Sequence, residues 1–229
     1  MQILQKVSQE VCLYSTLLSN IARVTKADEP LKDTSSNPRE PIILRDLYAG
    51  LRRMDERTPF SLGTDINEAP TKRNVFYEPI YRKNTRIVDQ ILPPGVQGVL
   101  GIDAEEIRTD PVKLEIIRLG LPVRMPPKDI KGVRLTPWER DAYNEFTNYG
   151  KKGSGQISLY EEINNIMNHK MWDKTPYADQ QKDIKSVFTE RRQDAVEFML
   201  DPENENFAEL QAKVAEHTTL KELYGDQVK

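Results

Sequence analysis

Thr136-Pro137-Trp138-Glu139 opens a helix, and the chain is read outward from it. A threonine hydroxyl at the N-cap can accept the N–H three residues on, proline at the first helical position lacks only a donor that would be unpaired anyway, and Glu139 closes a capping box. The spacing predicts a helix over 137–149. Downstream, Lys151-Lys152-Gly153-Ser154-Gly155 is a break, and Ser158 with Glu161 forms a second capping box before a face of Leu159, Ile163, Ile166 and Met167. Thr175-Pro176 then opens the longest helix, whose stripe of Ile184, Val187, Phe188, Ala195, Phe198 and Met199 runs to Asp201-Pro202. The acidic tail, 202–229, is expected to be solvated or peripheral, with a helix near 207–214 and a turn at 220–224. Upstream, Asp110-Pro111 reads as a cap for a short helix carrying Val112, Leu114, Ile116, Ile117 and Leu119, stopped by Gly120. Residues 121–127, with Pro122, Pro126 and Pro127, read as an extended strap close to polyproline II.

The first half has a different character. Twelve of the 15 prolines fall within 30–127, which forbids long helices and central strands. Yet Phe60, Ile80, Ile87, Ile91 and Leu92 supply apolar side chains that disordered segments lack. Residues 28–109 are therefore expected to be extended and to order by lying on a partner. Ahead of them, Leu4, Val7, Val11, Tyr14, Leu18 and Ile21 recur at steps of three and four, so 1–27 reads as an amphipathic helix. That stripe is either an inter-subunit seam or a face docked on its own domain.

The expected fold class is mainly α: a C-terminal helical domain over 110–201, preceded by the extended, proline-rich, partner-ordered half and the N-terminal amphipathic helix.

Composition narrows the function. The chain has 229 residues, 38% apolar and 30% charged, so its core is expected to be thin for its length. Its mean hydropathy of -0.65 leaves no expected membrane span, and a net charge of -3 removes any global attraction for nucleic acid. A single cysteine, Cys12, and two histidines, His169 and His217, offer little for disulfide, metal or imidazole chemistry. No phosphate-binding, metalloprotease or nucleophile-elbow motif occurs, and neighbouring carboxylates such as Glu105-Glu106 point to different helix faces. The expectation is no enzyme, no cofactor and no metal.

One cluster is suggestive: Lys72, Arg73, Arg82, Lys83 and Arg86 interleave with Phe76, Tyr77 and Tyr81. Cations with stacking rings suit single-stranded nucleic acid, but Glu78 and Asp89 dilute the charge. The same composition suits an arm docked on a protein surface, the preferred assignment for Phe76, Tyr77, Tyr81, Arg82 and Arg86, with weak nucleic-acid contact as the alternative for Lys72, Arg73, Arg82, Lys83 and Arg86.

The run Leu119-Gly120-Leu121-Pro122-Val123-Arg124-Met125-Pro126-Pro127-Lys128, followed by Gly132-Val133-Arg134-Leu135-Thr136-Pro137-Trp138-Glu139-Arg140-Asp141-Ala142-Tyr143, resembles the C-terminal-type region of large bacteriophage internal virion or DNA-ejection proteins. The similarity extends loosely over about 114–200. It implies a non-enzymatic virion component made in the host cytoplasm, with other virion proteins as partners, a homo-oligomer included. The competing expectation is a non-virion scaffold or adaptor that binds its partner through the N-terminal helix.

Overall fold

The computed structural model describes residues 30–34, 69–81, 109–121, 126–151 and 155–224, with positions 38, 50, 51, 53 and 54. The expected N-terminal helix, with Leu4, Val7, Val11, Tyr14, Leu18 and Ile21, lies outside these residues, as do Arg82, Lys83 and Arg86 and most of the 121–127 strap.

Local capping sets the helix starts. Asp110 Oδ1 accepts from the N–H groups of Val112 and Lys113 at 2.9 and 3.0 Å and starts α1 (Pro111–Arg118), which ends at Gly120 in the left-handed region, φ +57°. Thr136 and Glu139 form the expected reciprocal box at the start of α2 (Pro137–Tyr149), and Ser158 and Glu161 do the same for α3 (Leu159–Met167). The longest helix, α4 (Tyr177–Leu200), differs in detail: Pro176 occupies its N-cap, and the Thr175 hydroxyl donates back to the Met171 carbonyl at 2.9 Å. A 3-10 turn, Trp172–Lys174, precedes it.

A hairpin that composition does not announce joins α1 to α2. Strand β1 (Asp129–Ile130) pairs antiparallel with β2 (Val133–Arg134) through Lys131 and Gly132, at φ +48° and +85°. Positive φ at both turn positions matches the right-handed twist of the strands, and the inward residues Ile130 and Val133 are buried.

Helix α4 is shared by two apolar clusters. Its N-terminal part contributes Ile184, Val187 and Phe188, packed with Val112 and Ile116 of α1, Leu119 at its C-cap, and Leu159 and Ile163 of α3. Its C-terminal part contributes Ala195 and Met199, packed with Tyr143 of α2 and Ile130, Val133 and Leu135 of the hairpin region. Between them lies buried Arg191, which donates to Glu162 Oε2 (2.8 Å) and the Ile157 carbonyl (2.8 Å), fixing α4 to the start of α3.

The tail departs from expectation. Residues Ala208–Tyr224 form one continuous helix, α5, and Leu210 and Val214 are buried in the second cluster. Thr218 and Thr219 donate to carbonyls four residues back, at 2.8 and 3.0 Å, so hydroxyls that often interrupt a helix remain compatible with this one. Gln211 Nε2 donates to the Asp201 carbonyl at 2.8 Å and the Asn204 carbonyl at 3.0 Å, holding the turn that folds α5 back. A Cβ at Gly132 would meet His217 Cε1 at 2.4 Å, so the α5 imidazole lies directly over the hairpin turn. Charge marked this segment as solvated, but its buried stripe is only two residues wide and escaped the pattern.

Two outcomes check this packing. Leu210→Ala should destabilise the fold by about 2–5 kcal/mol in urea titrations, whereas a peripheral tail gives almost no change. Glu115, hydrogen-bonded by Arg118 (2.6 Å) and by the Trp172 indole (2.9 Å), is held below its usual 4.5. A depressed carboxylate contributes stability that is present above the unfolded value and lost as pH falls through the folded one. Glu115→Gln should therefore lower Tm at pH 7, with the difference from the unsubstituted protein shrinking below about pH 4.

Candidate docking interface

Residues 69–81 form a strip on the helical body. Backbone bridges join Lys32 to Thr71, Pro30 to Tyr81 and Arg73 to Pro79, so 30–33 pairs with both ends of a tight turn at 74–78. Asn74 builds that turn: its Oδ1 accepts from Phe76 N (3.0 Å) and Glu78 N (2.9 Å), and its Nδ2 donates to Glu78 Oε2 (2.5 Å). At the apex Tyr77 adopts φ +63°, a left-handed conformation uncommon for an aromatic residue.

Three kinds of contact seat the strip. Phe76, 4% exposed, enters the first cluster, edge-on to Tyr160 at 5.5 Å between centroids and tilted against Phe188 at 6.4 Å. Asn144 and Asn148, one turn apart on α2, donate their side-chain amides to the carbonyls of Asn74 (3.1 Å) and Val75 (3.0 Å). Lys113 of α1, 0% exposed, places Nζ 2.6 Å from Glu78 Oε2 and 3.8 Å from Asp110 Oδ2. Tyr160, donating to Asp110 Oδ1 at 3.1 Å, has its hydroxyl pushed up to about 12 by burial and by that carboxylate.

The outer edge is a band of opposed charges. The Arg73 guanidinium lies 4.1 Å above the Tyr77 ring, donates to the Tyr77 carbonyl at 3.0 Å and approaches Asp141 at 3.5 Å. Arg140 pairs with Asp33 at 2.7 Å, tying 30–34 to α2. Burial raises the Asp141 carboxyl despite Arg73, and burial together with Asp141 raises the Tyr77 hydroxyl. An open cleft of about 220 Å³ runs beside this band, lined by Thr71, Lys72, Lys128 and Asn144 among others. Four cations and two carboxylates line it, and Arg73 and Arg140 are engaged by Asp141 and Asp33, which leaves Lys72 and Lys128 as the net positive charge there.

The sequence-derived site residues thus separate. Phe76 is expected on a partner-binding surface, but it is buried against the chain's own Tyr160 and Phe188, because its benzyl group fits an opening between α3 and α4. Arg73 and Tyr77 also face the chain's own side chains, while Lys72 and Tyr81 (41% exposed) reach solvent. Asn74, Glu78, Lys113, Asn144 and Asn148 were not singled out as docking residues. A detectable signal was two asparagines four apart on α2, an unfavourable pair for a helix interior unless the amides have work elsewhere. His169 follows α3, its Nδ1 accepting the Met171 N–H at 3.4 Å. Among the described residues, no cluster of three or more histidines, cysteines or acids could hold a metal, and no helix is long and apolar enough to cross a membrane. No family model, curated protein or solved structure matches the chain.

Truncating Phe76→Ala should destabilise the helical body by about 3–5 kcal/mol. Asn148→Ala should remove about 1–3 kcal/mol by leaving the Val75 carbonyl without its donor, and Asn144→Ala should cost less, because the Asn74 carbonyl still accepts from the Tyr77 N–H at 3.1 Å. Denaturant unfolding followed by circular dichroism reads all three, and unchanged midpoints would contradict the seating of the strip.

Proposed function

We propose that this chain is a non-enzymatic structural or ejection component of a bacteriophage particle, working through protein contacts. The observation that carries this reading is the binding of the 74–78 turn of the strip through its main-chain carbonyls by Asn144 and Asn148, with Phe76 as the anchor. A body that holds a segment distant in sequence in this way is suited to fastening segments together in an assembly. The motif that resembles internal virion proteins supports the same reading from another side. Its Gly132 to Tyr143 portion supplies the hairpin turn and the first half of α2, the helix from which Asn144 projects. Other virion proteins, copies of the chain included, are the proposed partners, and DNA contact is at most a minor contribution from the Lys72 and Arg73 edge.

The test is quantitative mass spectrometry of purified particles of the phage that encodes the chain. Several copies per particle at a fixed ratio to the major capsid protein are expected. Presence in infected-cell lysate with absence from particles overturns the proposal.

A further inference from the structure

The turn at 74–78 carries its own order. Asn74 closes it with three hydrogen bonds internal to the strip, so the turn is not imposed by the groove and can leave or enter as a unit. The groove, in contrast, is incomplete alone: without the strip, the seat of Phe76 opens to water and Lys113 faces it without the Glu78 carboxylate. An emptied body is therefore driven to take up a strip from any chain that can deliver one. Residues 82–108 connect strip and body, a stretch of 27 residues whose extended length is about 90 Å.

We propose that the groove also accepts the 69–81 strip of a second copy of this chain, so that copies exchange arms. With the paired 30–33 segment travelling alongside the strip, the contacts in the two arrangements are the same, and the Glu78 to Lys113 ion pair matches one arm to one body. What differs is concentration. A tether of 27 residues holds its own arm at an effective concentration of roughly 1 mM, so isolated copies keep their arms and closely packed copies trade them. This proposal does not depend on the virion reading.

Equal amounts of light and heavy-isotope protein, mixed and passed once through the melting range, provide the test. Carbodiimide activates the partly exposed Glu78 carboxylate, and Lys113 Nζ, 2.6 Å away, traps it as an amide. Only same-isotope Glu78 to Lys113 peptides are expected at micromolar protein, with mixed-isotope peptides rising toward half of the total at several times 1 mM. Same-isotope peptides alone at every concentration overturn the proposal. A second measurement uses Glu78→Lys and Lys113→Glu, each of which places like charges together within one chain but opposite charges between chains. Mixing the two should yield a one-to-one dimer, or restored helicity if either is unfolded alone. A mixture that shows neither overturns arm exchange.

Discussion

Lys113 is the constraint on which the docked arrangement depends. An ammonium group removed from water loses several kcal/mol of solvation unless anions replace it, and this one is completely enclosed. Asp110 supplies part of the compensation while also capping α1, so the charge that starts the helix also serves the lysine three residues on. The closer carboxylate comes from Glu78, far away in sequence, and is aimed by Asn74. Asn74 in turn offers its carbonyl to Asn144. A single buried charge thereby couples α1, the strip and α2, and each link satisfies a polar group that would otherwise be stranded in the interior.

Helix α4 plays the corresponding role for the apolar interior. Its apolar stripe runs from Ile184 to Met199 and is interrupted by buried Arg191, with buried Gln180 one turn ahead of Ile184. Both are polar, and both are bonded by neighbouring elements: Gln180 to the Trp172 carbonyl and Arg118, Arg191 to Glu162 and the Ile157 carbonyl. Arg191 separates the two clusters, and together the two side chains register α4 against α1 through Gln180 and against α3 through Arg191. Non-directional burial supplies adhesion; these hydrogen bonds supply position.

What could be seen beforehand follows from range. The caps at Asp110, Thr136 and Ser158 lie within three residues of the helices they begin, so their chemistry could be recognised from spacing alone. The hairpin was harder, because strands of two residues show no alternation and Lys131 is an unexpected occupant of a left-handed turn position. The docked strip was out of reach of local pattern. Glu78 reads locally as a charge diluting a basic cluster, and no local pattern assigns a partner to Lys113, Asn144 or Asn148. Their partners are 35, 35, 70 and 73 residues distant, and only the closed fold reveals what each satisfies. The mixture of Arg73 with Tyr77 pointed to docking on protein, yet nothing in composition distinguishes a foreign surface from the chain's own.

Because Asn144 and Asn148 touch the strip at main-chain carbonyls, the interaction is a reading of register rather than of side-chain identity. Displacing the strip by a single residue would carry Phe76 out of its seat and Glu78 away from Lys113 at the same time. The strip therefore behaves as a key with one depth of insertion, its turn resisting sliding along α2. Tension applied to the chain ahead of residue 69 would meet an all-or-none release, and its load would fall jointly on α1 and α2.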